Sequence, residues 1–205
     1  MTAIKVGITE ANNINKLGRY PEVADKIQPI NGDANQELVQ LCQTTQWMKQ
    51  GVRAVLFLDP FGMQVAWSTV AAVAATQAID VWLLFPLGVA INRLLRRDGN
   101  ISEAIRERLD AIFGTDTWYD TFYQTQTANT LFGPQEEATK TSNFDAIEQF
   151  FVQRLGSVFP GVARNPQRLY NSRRVSLYTL FFAVGNPNGT PVALRMAEYI
   201  LGKRR

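Results

Sequence analysis

The stretch Ala54-Val55-Leu56-Phe57-Leu58 is a continuous apolar run, and Asp59-Pro60-Phe61-Gly62 ends it. Continuous apolar runs are typical of strands buried on both faces, as parallel strands are. Pro60 has no backbone N–H, so we expect the chain to leave the sheet there. A second predicted strand, Ile79–Leu84, is apolar except for Asp80 and ends at Phe85-Pro86. Helix-spaced stretches separate the strands, and this alternation predicts an α/β fold with a mainly parallel open sheet.

The rest of the chain adds elements to what we predict to be one domain covering residues 1–205. Further strands are expected at Lys5–Thr9, Ile27–Ile30 and Val175–Val184. The apolar spacing and capping residues predict helices at Gln36–Met48, after a cap at Ser68, at Val89–Arg97, after a cap at Ser102, at Phe144–Val158, and from a cap at Thr190 to Gly202. Residues 124–143 are polar, rich in threonine and without a period, so we expect a mobile loop or insertion.

Composition excludes several classes of site. The chain contains no histidine, which excludes Ser-His-Asp and Cys-His catalysis and histidine-ligated metals. We expect no metal site, and the alternative is metal binding by carboxylates alone. Cys42 is the single cysteine, so no intrachain disulfide can form, and its place on an apolar helix face predicts a core residue. No signal peptide or membrane-spanning run is recognisable, which predicts a cytoplasmic protein. The formal net charge of +3 is compatible with a polyanionic partner.

The strand end at Asp59-Pro60-Phe61 is the best candidate for chemistry. In an open parallel sheet, ligands bind beyond the carboxyl ends of the strands. The Asp59 carboxylate and the Pro60 carbonyl would accept the two hydrogens of an amine, and Phe61 would stack on a planar substrate. The alternative is that Asp59 caps a turn and Phe61 belongs to the core.

Two further carboxylates follow predicted strands. Asp33 would bind the amino group of a cofactor purine, or it would cap the helix that begins near Gln36. Glu10 would bind a pair of ribose hydroxyls, or it would be a solvated turn residue.

Two basic groups are candidates for phosphate contacts. Arg93, Arg96 and Arg97 share one helical segment, and Arg173 and Arg174 lie with Arg164 and Arg168 around Tyr170. Arginine is a common ligand of nucleic-acid phosphates. The alternative is that both groups are solvated faces with helix-end charges.

The order of several blocks resembles the three-Cys-motif partner family, TcmP. The blocks are Ile30–Asn35, Val55–Thr69, Ala78–Leu87, Ile91–Arg96 and Phe113–Trp118. The family is similar to methyltransferases that use S-adenosylmethionine, so the resemblance implies a Rossmann-like, methyltransferase-type sheet and that cofactor.

The resemblance also assigns roles to individual residues. Asp59-Pro60-Phe61 matches the catalytic Asp/Asn-Pro-Pro-aromatic motif of enzymes that methylate amino groups. Glu10 and Asp33 match the acids that bind the ribose and adenine of the cofactor. The implied reaction is methyl transfer to an amino group of a nucleic-acid base.

The chain departs from the family pattern in two ways. The glycine-rich first strand, loop and helix are missing before the Glu10 strand, so we expect either an N-terminally shortened member or a chain that a partner completes. In addition, Phe61 replaces the second proline. The alternative function is therefore a non-catalytic accessory protein that acts with a three-Cys-motif partner. Without the first strand, we expect Ala54–Leu58 either to pair with Lys5–Thr9 or to dimerise through its exposed edge.

Overall fold

The computed structural model describes residues 30, 32–59, 63–130 and 133–202. Eight α-helices, two other helical turns and seven strands occur within this part of the chain. In chain order they are α1 (Ala34–Thr44), α2 (Trp47–Gln50), β1 (Ala54–Leu58), α3 (Trp67–Ala75), β2 (Ile79–Phe85), a π-helical turn (Leu87–Ile91), α4 (Asn92–Leu94), α5 (Glu103–Phe113), α6 (Trp118–Phe122), β3 (Tyr123–Thr130), β4 (Gly133–Lys140), α7 (Phe144–Gly156), β5 (Gly161–Val162), β6 (Gln167–Tyr170), β7 (Ser176–Val184), a 3₁₀ turn (Pro187–Gly189) and α8 (Thr190–Gly202).

The main sheet is mixed, and the prediction of a mainly parallel, Rossmann-like sheet is wrong. Its order is β1-β2-β7, with β5 and β6 one after the other along the far side of β7. Only β1 and β2 pair in parallel, whereas β7 is antiparallel to β2, β5 and β6. The reason is the direction of β7. It lies between β2 on one side and β5 and β6 on the other, and it runs opposite to all three. The strand predicted at Lys5–Thr9, and residues 27–29 of the next one, lie outside the described residues.

The polar stretch 124–143 is a β-hairpin, so the prediction of a loop is wrong there. Strands β3 and β4 pair from Tyr123 opposite Lys140 to Thr130 opposite Gly133. Residues 124–127 are exposed, so this part of the ribbon has no buried face. Strands with one buried face show alternating apolar and polar residues. Residues 124–127 have no buried face, so their sequence lacks this alternation.

Several predicted helices have different limits. The segment Gln36–Met48 is divided between α1 and α2, and Val89–Arg97 begins as the π-helical turn and ends at Leu94. Ser68 lies inside α3, whose cap position is Ala66, whereas Ser102 does occupy the cap position of α5. None of the described helices is long and apolar enough to cross a bilayer.

The main core lies between one face of the sheet and helices α3, α5, α6 and α7. Phe85 of β2 stacks on Phe151 of α7 with ring centroids 4.2 Å apart, and it meets Phe181 of β7 edge-on. On the opposite face, α8 covers Phe182 and Val184. Cys42 is half-buried against the main core, which partly agrees with its predicted core position.

Candidate functional site

The carboxyl ends of β1 and β2 lie at one edge of the sheet, which we call the carboxyl edge. Leu58 at the end of β1 is opposite Leu83 of β2, and Asp59 follows with an exposed side chain. Pro60 and Phe61 lie outside the described residues, so the predicted amine geometry stays a prediction. The structure therefore places one of the three proposed catalytic residues, at the strand end that the sequence indicates.

The β6–β7 hairpin projects beyond this edge. Phe85, the last residue of β2, is opposite Thr179, so Ser176–Tyr178 of β7 continue past the end of β2. The Asn171 side chain organises the turn 171–175, because its Oδ1 accepts from the N–H groups of Arg173 at 3.0 Å and Val175 at 2.9 Å. Asn171 N–H also donates to the Val175 carbonyl at 3.0 Å. The turn thus has a fixed backbone and lies at the same edge as Asp59.

Arg173 and Arg174 are carried side by side on this turn, and both are exposed. Arg174 has a φ of 58°, in the left-handed region, so its side chain leaves the turn in a direction that an extended residue would not take. Neither guanidinium forms an ion pair with any described residue. Tyr170, which precedes the turn, is 56% exposed. The turn therefore offers two unneutralised cations beside an accessible aromatic ring.

The root of the hairpin is fixed to α7 by a buried ion pair. Glu148 is 7% exposed and accepts from Arg168 Nε and Nη2 at 2.8 and 2.7 Å. Thr179 Oγ1 donates to the same carboxylate at 2.7 Å, and Asp145 also pairs with Arg168. The hydrogen bonds that Arg168 donates to Glu148 are the main cause that raises the pKa of Arg168. Arg168, placed in the basic group by sequence, is therefore neutralised and positions the hairpin.

The second basic segment follows the π-helical turn. A Cβ at Gly88 would overlap the Ser176 carbonyl, so this turn packs closely against the beginning of β7. Arg93 and Arg97 are exposed, whereas Arg96 pairs with Asp98 through bonds of 3.1 and 2.8 Å. Of the three arginines predicted to bind nucleic acid here, Arg96 is the one that forms an ion pair with a described residue.

Lys140 joins this segment, although no pattern in the sequence indicates it. Its Nζ donates to Asn92 Oδ1 at 2.7 Å, and its backbone N–H donates to the Arg97 carbonyl. Burial and then the neighbouring Arg97 charge lower the pKa of Lys140. No described carboxylate pairs with it. The pairing of β3 with β4 brings Lys140 to this segment, and the polar sequence of the two strands does not predict that pairing.

The described residues fit S-adenosylmethionine poorly. Asp33 is the N-cap of α1, where its carboxylate accepts from Gln36 N–H at 3.0 Å, and Glu10 lies outside the described residues. The recess next to the end of β2 is small and apolar, and it is lined by Met63, Val65, Val70, Leu83, Phe85, Pro86, Ile112 and Phe151. It offers no polar side chain for the ribose or the methionine end. We therefore derive no catalytic step from this cofactor.

Comparison of the chain with protein-family models, with curated proteins and with solved structures finds no match. Across the described ranges, no group of three or more acidic or cysteine side chains is arranged to hold a metal ion. The candidate site is therefore defined by its geometry alone. It is the carboxyl edge of the sheet, which carries the basic side chains described above and the exposed carboxylate of Asp59.

Proposed function

We propose that this chain is a nucleic-acid-binding accessory protein, with the carboxyl edge of its sheet as the contact surface. The observation that carries the proposal is the turn 171–175, whose backbone is fixed by Asn171. It holds Arg173 and Arg174 exposed and without an ion-pair partner among the described residues. Guanidinium groups bind phosphate oxygens through charge-assisted, often bidentate hydrogen bonds. A fixed turn loses less conformational entropy on binding than a flexible one.

Tyr170 favours a single-stranded ligand over other polyanions. Proteins that bind single strands combine a basic track for the backbone with aromatic rings on which bases stack. Tyr170 is exposed immediately before the arginine turn, so one strand could place a base on its ring and phosphates on Arg173 and Arg174. Arg93, Arg97 and Lys140 extend the basic surface, because the π-helical turn that precedes Arg93 packs on β7 at Ser176.

The proposal is tested with a fluorescent single-stranded oligonucleotide of about 12 nucleotides, within the range of site sizes of single-strand binders. Its anisotropy is titrated with wild type and with Arg173→Gln/Arg174→Gln. We expect the double variant to bind about tenfold more weakly, since two phosphate contacts are lost. The matched control is Arg108→Gln/Arg195→Gln, which removes the same charge from exposed positions on α5 and α8. Equal weakening in both double variants would show that only net charge matters.

The identity of the ligand is tested with Tyr170→Ala. This variant should weaken oligonucleotide binding by about 1–3 kcal/mol because a stacked base is lost. It should leave binding of inorganic polyphosphate unchanged, since that polymer has no bases. An equal loss for both ligands would contradict the assignment to nucleic acid.

The sequence resemblance and Asp59 give a second candidate, methyl transfer to the amino group of a base, which would need cofactor contacts beyond those that the described residues offer. The exposed carboxylate of Asp59 lies at the same edge as the arginines, where a bound nucleic acid would pass. Calorimetric titration of the chain with S-adenosylmethionine tests this candidate. An absence of heat and of thermal stabilisation at millimolar cofactor would exclude it for this chain and leave nucleic-acid binding untouched.

The accessory function would require a second protein. The three-Cys-motif protein remains the proposed partner, and the cytoplasm remains the proposed location. Co-purification with that partner should be unaffected by Asp59→Ala if the chain acts by binding alone. Loss of the partner in Asp59→Ala would instead give this carboxylate a role in assembly.

A further inference from the structure

Strand β1 is an edge strand with an open side in the described part of the chain. It pairs only with β2 there. Ala54 N–H donates to the Ala78 carbonyl at 3.1 Å, so the even-numbered residues direct their backbone groups toward β2. Backbone groups alternate along a strand, and those of residues 53, 55, 57 and 59 therefore point to the open side. An open edge of this kind is a template for pairing with another chain.

The side chains of the same odd-numbered residues share one face. Val55 is 46% exposed and Phe57 is 52% exposed, whereas Leu56 and Leu58 are buried on the opposite face. Arg53 and Asp59 flank the two ends of β1, and the alternation of side chains, continued by one residue at each end, would put them on the face of Val55 and Phe57. The face therefore reads cation, valine, phenylalanine, anion.

This order is self-complementary, and we propose that β1 pairs with β1 of a second copy in an antiparallel, two-fold arrangement centred on Leu56. Each residue then meets the one equally far on the other side of the centre. Val55 lies opposite Phe57 of the second copy, and Arg53 lies opposite its Asp59. A two-fold interface repeats both contacts.

The charges at the ends are free to make this contact. Asp59 is exposed and has no cationic partner among the described residues. Toward the described residues, Arg53 uses its Nη1 atom, on the Gln77 carbonyl at 2.9 Å and on Met48 Sδ. The other N–H groups of its guanidinium remain for a carboxylate. Opposite charges and aromatic–β-branched pairs directly across an antiparallel ladder are both stabilising.

The directions of the backbone N–H and C=O groups of β1 also agree with this register. Residues 55 and 57 carry the outward N–H and C=O groups, so the Val55–Phe57 pairs become the hydrogen-bonded pairs. Leu56 meets Leu56 of the second copy in a non-hydrogen-bonded pair, which is a permitted centre of two-fold symmetry. The two sheets then form one continuous sheet, in which Phe57 lies beside the half-buried Trp82 of β2.

Charge reversal tests the proposal in the full chain. The molar mass from light scattering should be that of a dimer for wild type, and of a monomer for Arg53→Asp and for Asp59→Arg. The double variant Arg53→Asp/Asp59→Arg should recover the dimer, since each pair is then reversed and complete. A monomeric wild type at every concentration, or a double variant as dissociated as the single ones, would overturn the proposal. Far-UV circular dichroism confirms that each variant is folded.

Cysteine pairing tests the register, in a background with Cys42→Ser. A mixture of Val55→Cys and Phe57→Cys chains should form a disulfide-linked heterodimer on mild oxidation. Neither chain should cross-link with itself, because identical positions are offset along the ladder beyond the Cα separation of about 7 Å that a disulfide tolerates. Self-linking as strong as mixed linking would contradict the register. Failure of the mixture to link would contradict the pairing and would assign the edge to another occupant, such as residues 1–29.

Discussion

Arg168 on β6 and Glu148 on α7 form a two-point ion pair, with Nε and Nη2 of the guanidinium 2.8 and 2.7 Å from the two carboxylate oxygens. Thr179 of β7 donates to the same carboxylate at 2.7 Å. A helix and both strands of the projecting hairpin are therefore tied at one buried point. The arginine turn lies just beyond it, so this pair determines how rigidly the proposed phosphate ligands are held.

Removal of the buried carboxylate should cost more stability than removal of the exposed one. Glu148→Ala leaves a mostly buried guanidinium without its main partner, and we expect the free energy of unfolding to fall by about 3 kcal/mol. Asp145→Ala removes an exposed partner of the same arginine and should cost about 1 kcal/mol or less. Urea unfolding followed by tryptophan fluorescence measures both. Equal losses of stability in the two variants would contradict the larger contribution that we assign to the buried Glu148 carboxylate.

Gly88 should be required for the packing of the π-helical turn on β7. A Cβ at this position overlaps the Ser176 carbonyl, so Gly88→Ala should destabilise the fold by about 1–3 kcal/mol. Gly156 is the matched control, because a Cβ there meets nothing within 4 Å and its backbone is helical. Gly156→Ala should stabilise the chain by about 0.4–1 kcal/mol. Thermal unfolding of the two variants checks the opposite signs, and destabilisation by both would contradict this account.

Cys42 should be a slow nucleophile in the folded chain. Burial raises the pKa of its thiol to about 11, from an ordinary value of 9.0. The folded state thus holds the proton more tightly than the unfolded state, so the contribution of this group to stability is complete below pH 9.0 and is lost as the pH rises toward 11. The rate of reaction with a disulfide reagent against pH should show this raised midpoint. A midpoint near 9.0 in the folded chain would contradict the burial.

Lys140→Met should weaken binding of the oligonucleotide and leave stability nearly unchanged. The ammonium group is half-buried without an acidic partner in the described residues, and burial lowers its pKa, so its charge is a cost in the folded state. The variant should therefore keep the stability of wild type to within about 0.5 kcal/mol. The same variant should bind the oligonucleotide more weakly, since one cation of the surface is lost. A large loss of stability with unchanged binding would make Lys140 a purely structural residue.

The sequence predicted the strands whose apolar runs are continuous and the helices with clear amphipathic spacing. The strand at Ala54–Leu58 is confirmed at its predicted limits, and the one at Ile79 extends to Phe85. The direction of a strand within the sheet could not be predicted, because an apolar run such as that of β7 looks the same in either direction. The β3–β4 hairpin was missed because a ribbon with exposed side chains on both faces carries no alternation.

The candidate site was predictable in its residue types and only partly in their roles. Arg173, Arg174 and Asp59 are exposed at one edge because β7 runs antiparallel to β2. The predicted parallel direction would have put the two arginines, which precede β7, at the opposite edge. Arg168 and Arg96 look like the other arginines in the sequence, and no pattern marks Glu148 and Asp98 as the groups that neutralise them. Glu148 lies twenty positions from Arg168 in the sequence, and the two side chains come into contact only in the folded chain.

The most direct test of the central claim is the salt dependence of oligonucleotide binding. For single strands, the slope of log K against log salt concentration is about −0.7 for each phosphate that the protein neutralises. The Arg173→Gln/Arg174→Gln variant should therefore have a slope shallower than that of wild type by about 1.4. The Arg108→Gln/Arg195→Gln control should keep the wild-type slope. An unchanged slope in the Arg173/Arg174 variant would show that these arginines contact no phosphate, and it would contradict the proposed function.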